Sequence, residues 1–450
     1  MNQGRTLAKP TMFAIQFVLL HCLIGYYGLF GGDTQAQQTP RPKAVSEIIE
    51  TKADRSPSTM SGQTTSAPDL GTGQPGDSAA PGVPGALDPA KIYADEGMMK
   101  ADLENGWSAE LTADPWLQSR ITGILNRAKV PFGAAVVVRV SDGAVLGMAD
   151  RYDEKHPIAP KYEKGQPTHL ALRAVAPAAS VFKIVTAAAL IDAGLAIDKQ
   201  LPFHPAKRRL SKVHLGQISN NAPRTDLGQA LVKSNNGFFG RAANRYLTWD
   251  SLTEAADRFA FNRVVPFPLL TDASVAQVPR NELERARMAA GFWHSKLTPL
   301  HGALIAAAVA KDGKIPSPRF VEALRGPNGQ VVQAPIRPPM SQAMSPQAAT
   351  QLRRAMGRTV RQGTARRAFG KWPKKLSHIN VGGKTGSLSK RNPHTSYTWF
   401  VGYAPVENPE IAVSVMVGNS ELWWQKAADV ARDVFATYFR GKTRSRSTSK

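Results

Sequence analysis

The sequence predicts an α+β fold, and three observations carry that prediction. Runs rich in β-branched residues stand near both ends of the folded region, at 133 to 148 ("GAAVVVRVSDGAVLGM") and at 380 to 389, 396 to 403 and 411 to 417. Helical patterns fill the middle, over 176 to 193, 226 to 260 and 299 to 311. A long amphipathic stretch from about Leu422 to Phe439 follows the last strand. Strands at the two ends with helices between them read as one central antiparallel sheet. The C-terminal helix covers it, and a mostly helical subdomain packs beside it, with a site between the two.

Taken in order, the chain opens with a 19-residue, largely apolar run at 12–30, preceded by Arg5 and Lys9. A helix of that length reaches about 28 Å, roughly one hydrocarbon core. It reads as a membrane anchor or a signal peptide within 1–32, with an acceptable cleavage point near Ala36. Residues 33–100 are rich in Pro, Gly, Ser, Thr and Ala and read as a disordered linker, with a root-mean-square reach of about 45 Å. The folded region is expected over 101–440 and a disordered basic tail over 441–450.

Within it, Ser141-Asp142-Gly143 is the turn of a β-hairpin. "PAASVFKIVTAAALIDAG" (177–194) reads as one helix, with Pro177 in its first turn and Gly194 as its left-handed stop. Thr298 caps a helix that starts at Pro299 and ends at Asp312-Gly313; apolar nearly all round, it is expected at the centre. Trp423 and Trp424 open the last helix and read as core.

Composition narrows the function. The chain has 450 residues, 42% hydrophobic and 20% charged, with a net charge of +23 that favours anionic surroundings. Export of everything after residue 30 argues against nucleic acid as the partner. The lone cysteine, Cys22, lies inside the apolar run, which excludes an intrachain disulfide, a thiolate metal cage or a catalytic thiol. The nine histidines lack zinc-helix spacing, so no metal or cofactor is expected.

Three candidate sites then stand in order. Ser180 and Lys183 share one helical face. A lysine buried among Phe182, Ile184 and Val185 loses hydration, its pKa falls, and it can accept a serine proton. Alone, the pair reads equally as polar residues on a packed helix. Ser234 and Asn236 sit in a loop between two helical patterns, where a hydroxyl and an amide can relay a proton and hold a peptide, or merely cap a helix. Ser219 and Asn221 repeat that spacing in a polar run and are set aside. "VGGKTGSLS" (381–389) is a strand whose glycines admit a ligand backbone; Lys384, Thr385, Gly386 and Ser387 offer a cation, hydroxyls and close approach to a terminal carboxylate.

"SVFK", "SNN" and "KTGS", in that order, resemble the three active-site motifs of the penicillin-binding proteins and serine β-lactamases. "LTPLHGALIAAAVAKDGKIPSPRFV", "MGRTVRQGTARRAF" and "YTWFVGYAP" are similar to stretches that flank the site in penicillin-binding transpeptidase domains. The likeness covers roughly 130 to 440. The interval of 150 residues from Ser234 to Lys384 resembles the larger transpeptidases. The Glu-x-x-Leu-Asn element that drives deacylation in class A β-lactamases does not occur between 237 and 383.

The resemblance implies a peptidoglycan D,D-transpeptidase acting on D-Ala-D-Ala stem peptides and acylated by β-lactams, on the exported side of the inner membrane. It makes Ser180 the nucleophile, Lys183 its base, Ser234 a proton relay supported by Lys384, and backbone N–H groups of Ser180 and Ser387 the oxyanion hole. Asn236 would hold the acyl-side amide, and Thr385 and Ser387 the carboxylate. It also leaves room for a glycosyltransferase partner. Ser387 stands where the transpeptidases usually carry Thr, and a linker stands where they carry a folded N-terminal module. A D,D-carboxypeptidase or endopeptidase therefore stays open, as do a β-lactamase and a non-catalytic β-lactam sensor. The basic stretch 353–375, with nine Lys or Arg and no acid, reads as a solvated face.

Overall fold

A computed structural model describes residues 86–206, 209–420 and 425–448, with side chains described as far as Lys442. The apolar run 12–30, the cleavage point at Ala36, Trp423 and Trp424 lie outside the described residues. Among those described, no helix is long and apolar enough to cross a membrane.

Five antiparallel strands form the main sheet, in the spatial order Gly382–Lys390, Thr395–Ala404, Ile411–Asn419, Phe132–Arg139 and Val145–Tyr152. All ten residues of Thr395–Ala404 and all nine of Ile411–Asn419 are buried, because helices cover both faces. On one face lie Pro115–Ala128 and the C-terminal helix Ala427–Thr448. On the other lies Pro299–Ala310, capped by Thr298 and buried along its whole length, as its uninterrupted apolar surface predicts. The helical subdomain stands beside this face. The α+β architecture agrees with the sequence reading, with Pro115–Ala128 as a covering helix the reading left out.

The predicted hairpin turns where expected. Asp142 accepts from Arg139 Nε at 2.8 Å and Arg319 Nη2 at 2.6 Å, which ties the turn to a distant segment. At Gly143, φ is +75° and any Cβ would stand 2.3 Å from the Ser317 carbonyl oxygen, so only glycine fits.

Four expectations need correction. Ordered elements begin inside the expected linker: Ile92–Asp95 and Met98–Asp102 are strands of a second five-stranded sheet, completed by Ser108–Leu111, Val321–Arg325 and Val331–Gln333. Their pairing is their support, since strands of three to five residues carry little periodicity of their own. Next, the helical pattern 226–260 is three helices, Leu227–Lys233, Asn236–Tyr246 and Trp249–Arg258. They break where Ser234 turns left-handed (φ +55°) and where Thr248 caps Ser251 N–H.

The helix expected from Pro177 begins at Lys183, for the reason given below. Finally, the last helix runs through the expected tail to Thr448. Gly441 packs so closely under the Trp116 ring that a Cβ would lie 2.5 Å from it, and Lys442 pairs with Glu410, so the helix has partners beyond Phe439.

Candidate active site

Ser180 stands on a turn before its helix. Ala176–Pro177 forms a short bridge with Lys296–Leu297, Ala179 adopts φ +50°, and Ala179–Val181 is a 3₁₀ turn. A left-handed alanine ends any continuous helix and stores strain, which recurs at functional sites. Gly291 (φ +78°) holds it in place: a Cβ there would come within 2.5 Å of Ala179 O and 2.8 Å of Ser180 Cα. The far end follows the prediction. Gly194 is left-handed (φ +87°), and the Leu195 amide donates back to Leu190 O.

Lys183, the first residue of helix Lys183–Asp192, is wholly buried. Its Nζ has three oxygen neighbours: Ser180 Oγ at 2.8 Å, Asn236 Oδ1 at 2.7 Å and Ala290 O at 2.5 Å. Burial, and then the nearby Lys384, push its pKa well below the ordinary lysine value. The amide and carbonyl oxygens only accept, so they take both N–H bonds of a neutral amine. Its lone pair is left for the Ser180 hydroxyl proton.

Ser234 and Asn236 reach this point from one tight junction. Ser234 is the left-handed cap of Leu227–Lys233, Asn235 caps the next helix at Phe238 N–H (3.0 Å), and Asn236 is that helix's first residue. The alternative pair, Ser219 and Asn221, stays in an exposed turn away from the site.

Gly382–Lys390 is the edge strand of the main sheet, and it supplies the third element. Lys384 is wholly buried, with Nζ 3.0 Å from Ser234 Oγ and 2.8 Å from Thr385 O; burial lowers its pKa to about 7. Thr385 is half-buried and Ser387 exposed on the open edge. Between them, a Cβ on Gly386 would press on Trp399, Val181 and Ala178 at 3.2–3.4 Å, so the strand lies close against the serine turn. Trp399 Nε1 donates to Pro177 O at 2.9 Å and ties that turn to the sheet.

The sequence candidates therefore converge on one cavity of about 510 Å³, lined by Ser180, Ser234, Asn236, Thr385, Gly386 and Ser387, with Lys183 and Lys384 beneath. Several contributors carry no motif: Ala290 and Gly291, the Trp399 tie, and Thr364, whose Oγ1 lies 2.5 Å from Thr385 Oγ1. Thr364, Arg367 and Lys371 of the basic stretch line the same cavity, which a reading as a plain solvated face does not include. Among the described residues no cluster of three or more His, Cys, Asp or Glu is arranged to hold a metal ion.

A nucleophile with a buried amine, a second serine–lysine pair and an open strand edge suit acyl transfer from an extended peptide. Comparison with known proteins agrees. Residues 133–438 match the family model "Penicillin binding protein transpeptidase domain". Peptidoglycan D,D-transpeptidase PbpA of Mycobacterium tuberculosis is 28% identical over 262 residues, covering 56% of this chain and 52% of the relative. Peptidoglycan D,D-transpeptidase MrdA of Haemophilus influenzae is 25% identical over 378 residues, 74% of this chain and 56% of the relative. The chain thus spans about half the length of these curated relatives.

Among solved structures, the D,D-transpeptidase domain of a peptidoglycan glycosyltransferase from Eggerthella lenta superposes with a TM-score of 0.61 at 25% identity, covering 74% of this chain and 83% of that one. Penicillin-binding protein A from M. tuberculosis, as its ceftriaxone acyl-enzyme complex, shares the fold (TM-score 0.60, 24% identity, 73% and 79% covered). With two-thirds of its length inside the matched model and its motif residues gathered in one cavity, this chain belongs to the penicillin-binding protein transpeptidase domain family.

Proposed function

We propose that this protein is a peptidoglycan D,D-transpeptidase that works through an acyl-enzyme on Ser180 and is acylated by β-lactams. The observation that carries the proposal is the buried Lys183 amine, 2.8 Å from Ser180 Oγ and within hydrogen-bond distance of Asn236 Oδ1 and Ala290 O, with burial favouring its neutral form. Ser180 Oγ attacks the carbonyl between two terminal D-alanines, and its proton passes to Lys183. The C–N bond breaks as Ser234, supported by Lys384, delivers a proton to the leaving amine. Backbone N–H groups of Ser180 and Ser387 hold the oxyanion. Asn236 binds the acyl-side amide, and Thr385 and Ser387 bind the carboxylate beside Gly386. The ester then passes to an amine of a neighbouring stem; with water as acceptor the same site is a D,D-carboxypeptidase.

One observation speaks against a β-lactamase. The carboxylate on the cavity wall, among the described residues, is Asp429, which accepts from Lys426 N–H (3.3 Å) and lies 3.6 Å from Arg432. With those partners it is already engaged, which speaks against its service as the water-activating carboxylate of a class A β-lactamase. The finer placement belongs to the same proposal: the domain works in the periplasm, held by the apolar run 12–30 or released near Ala36, with a glycosyltransferase as partner.

Mixing the protein with a fluorescent penicillin and following intact mass tests this reading. A stable one-to-one adduct on Ser180, absent in Ser180→Ala, is the expected result. An adduct that also forms on the alanine variant refutes the assignment.

A further inference from the structure

The cavity wall beyond the reacting centre is cationic. Arg367 and Lys371, from the segment after helix Pro346–Gln362, line the same cavity as Ser180 and Ser387, and Lys426 joins them from the start of the C-terminal helix. Arg367 and Lys371 are exposed and make no ion pair among the described residues. The acid described on that wall, Asp429, already has the Lys426 amide and Arg432 as partners. Thr364, on the same segment, touches Thr385, so these cations flank the edge strand along which an extended peptide would pair.

Resting on the reading of this cavity as a D,D-peptidase site, we propose that Arg367 and Lys371 select stem peptides that carry free side-chain carboxylates over peptides in which these are amidated. The terminal carboxylate is taken by Thr385 and Ser387, so it does not satisfy the two cations; a second carboxylate, on a residue before the terminal pair, does. Rim charges of this kind act on encounter and on binding of the ground state, and they are screened by salt. The selection therefore shows in KM, leaves kcat nearly unchanged, and fades as ionic strength rises.

The test uses the full chain and two synthetic peptides ending in D-Ala-D-Ala, one with Glu and one with Gln at the two positions before that pair. For the wild type, kcat/KM should favour the Glu peptide by about tenfold at low salt, from two exposed charge pairs. In Arg367→Gln/Lys371→Gln the preference should fall below about threefold. Lys374→Gln/Lys375→Gln removes equal charge from a different groove and should keep it. A wild-type ratio near one, or one unchanged in the Arg367/Lys371 variant, overturns the inference, provided that penicillin still forms its adduct on Ser180. A failure of penicillin to label the wild type overturns the proposed function instead.

Discussion

Lys384 is the sharpest place to test how the site is held, because its burial sets function against stability. Its ammonium lies wholly inside the protein, and its pKa falls from the ordinary 10.5 to about 7. At about 1.4 kcal/mol per tenfold change in proton affinity, the folded state forgoes on the order of 4 kcal/mol at neutral pH. Lys384→Met keeps the length of the side chain and removes that cost. It also leaves Ser234 Oγ and Thr385 O without their 3.0 and 2.8 Å partner, at about 1 kcal/mol each.

The net expectation is a gain of about 2 kcal/mol, or roughly 3 °C in melting temperature for a folded region of this size. Penicillin acylation should slow at least a hundredfold, roughly the share of a proton-relay group. The pH dependence fixes the sign. The unfolded chain binds a proton that folded Lys384 releases above about pH 7, so wild-type stability rises from pH 7 toward 10.5. The advantage of the Met variant should therefore shrink over that window, vanish near about pH 9 and reverse above it. Melting curves from pH 6 to 10 read it directly. A Met variant that melts lower at pH 7, with a gap that does not move with pH, would refute the argument and mean that folded Lys384 is a well-paired cation.

Asn236→Ala leaves one Lys183 N–H without its 2.7 Å acceptor in a buried site, so acylation by penicillin should fall about ten- to a hundredfold in stopped-flow labelling. Because Lys183 must be neutral to act, wild-type acylation should decline as pH drops through its lowered pKa; a flat profile would exclude it as the base. Gly291→Ala forces a Cβ to 2.5 Å from Ala179 O at a positive φ, which should cost on the order of 3 kcal/mol in urea unfolding and displace Ser180, with acylation lost as well. At Asp142, burial alone would raise the pKa, but hydrogen bonds from Arg139 and Arg319 hold it below the ordinary carboxylate range. Allowing for solvent around the turn, Asp142→Asn should cost about 1–2 kcal/mol at pH 7. That deficit should begin to shrink as pH falls below about 3.8, where the unfolded chain takes up a proton that folded Asp142, held by its two arginines, still resists.

Much of the site was legible because its residues announce themselves locally. The cap and stop of Pro299–Ala310, the Asp142 hairpin and the strand with Lys384 each depend on near neighbours, and the structure places them within a few residues of expectation. What stayed hidden depends on distant contacts. The late helix start at Lys183 follows from Ala179 pinned by Gly291, more than a hundred residues away, and alanine carries no sign of a left-handed turn. Ala290 contributes a backbone carbonyl, which any residue could supply. The small sheet hid for a related reason: its strands are only three to five residues long, and their stability lies in pairing between distant segments rather than in composition.

The order of strands in the main sheet has a consequence for how the chain folds. Phe132–Arg139 pairs on one side with Ile411–Asn419, the strand that emerges from synthesis last. Until that strand arrives, the hairpin Phe132–Tyr152 and the pair Gly382–Ala404 are two separate ribbons, each with an unpaired apolar edge. Closure is a late, non-local event, and such topologies fold slowly with sticky intermediates. A chain cut short after Ala404 would retain every motif residue yet could not join the ribbons. It should collect as aggregate, whereas loss of the final helical turns should be far better tolerated.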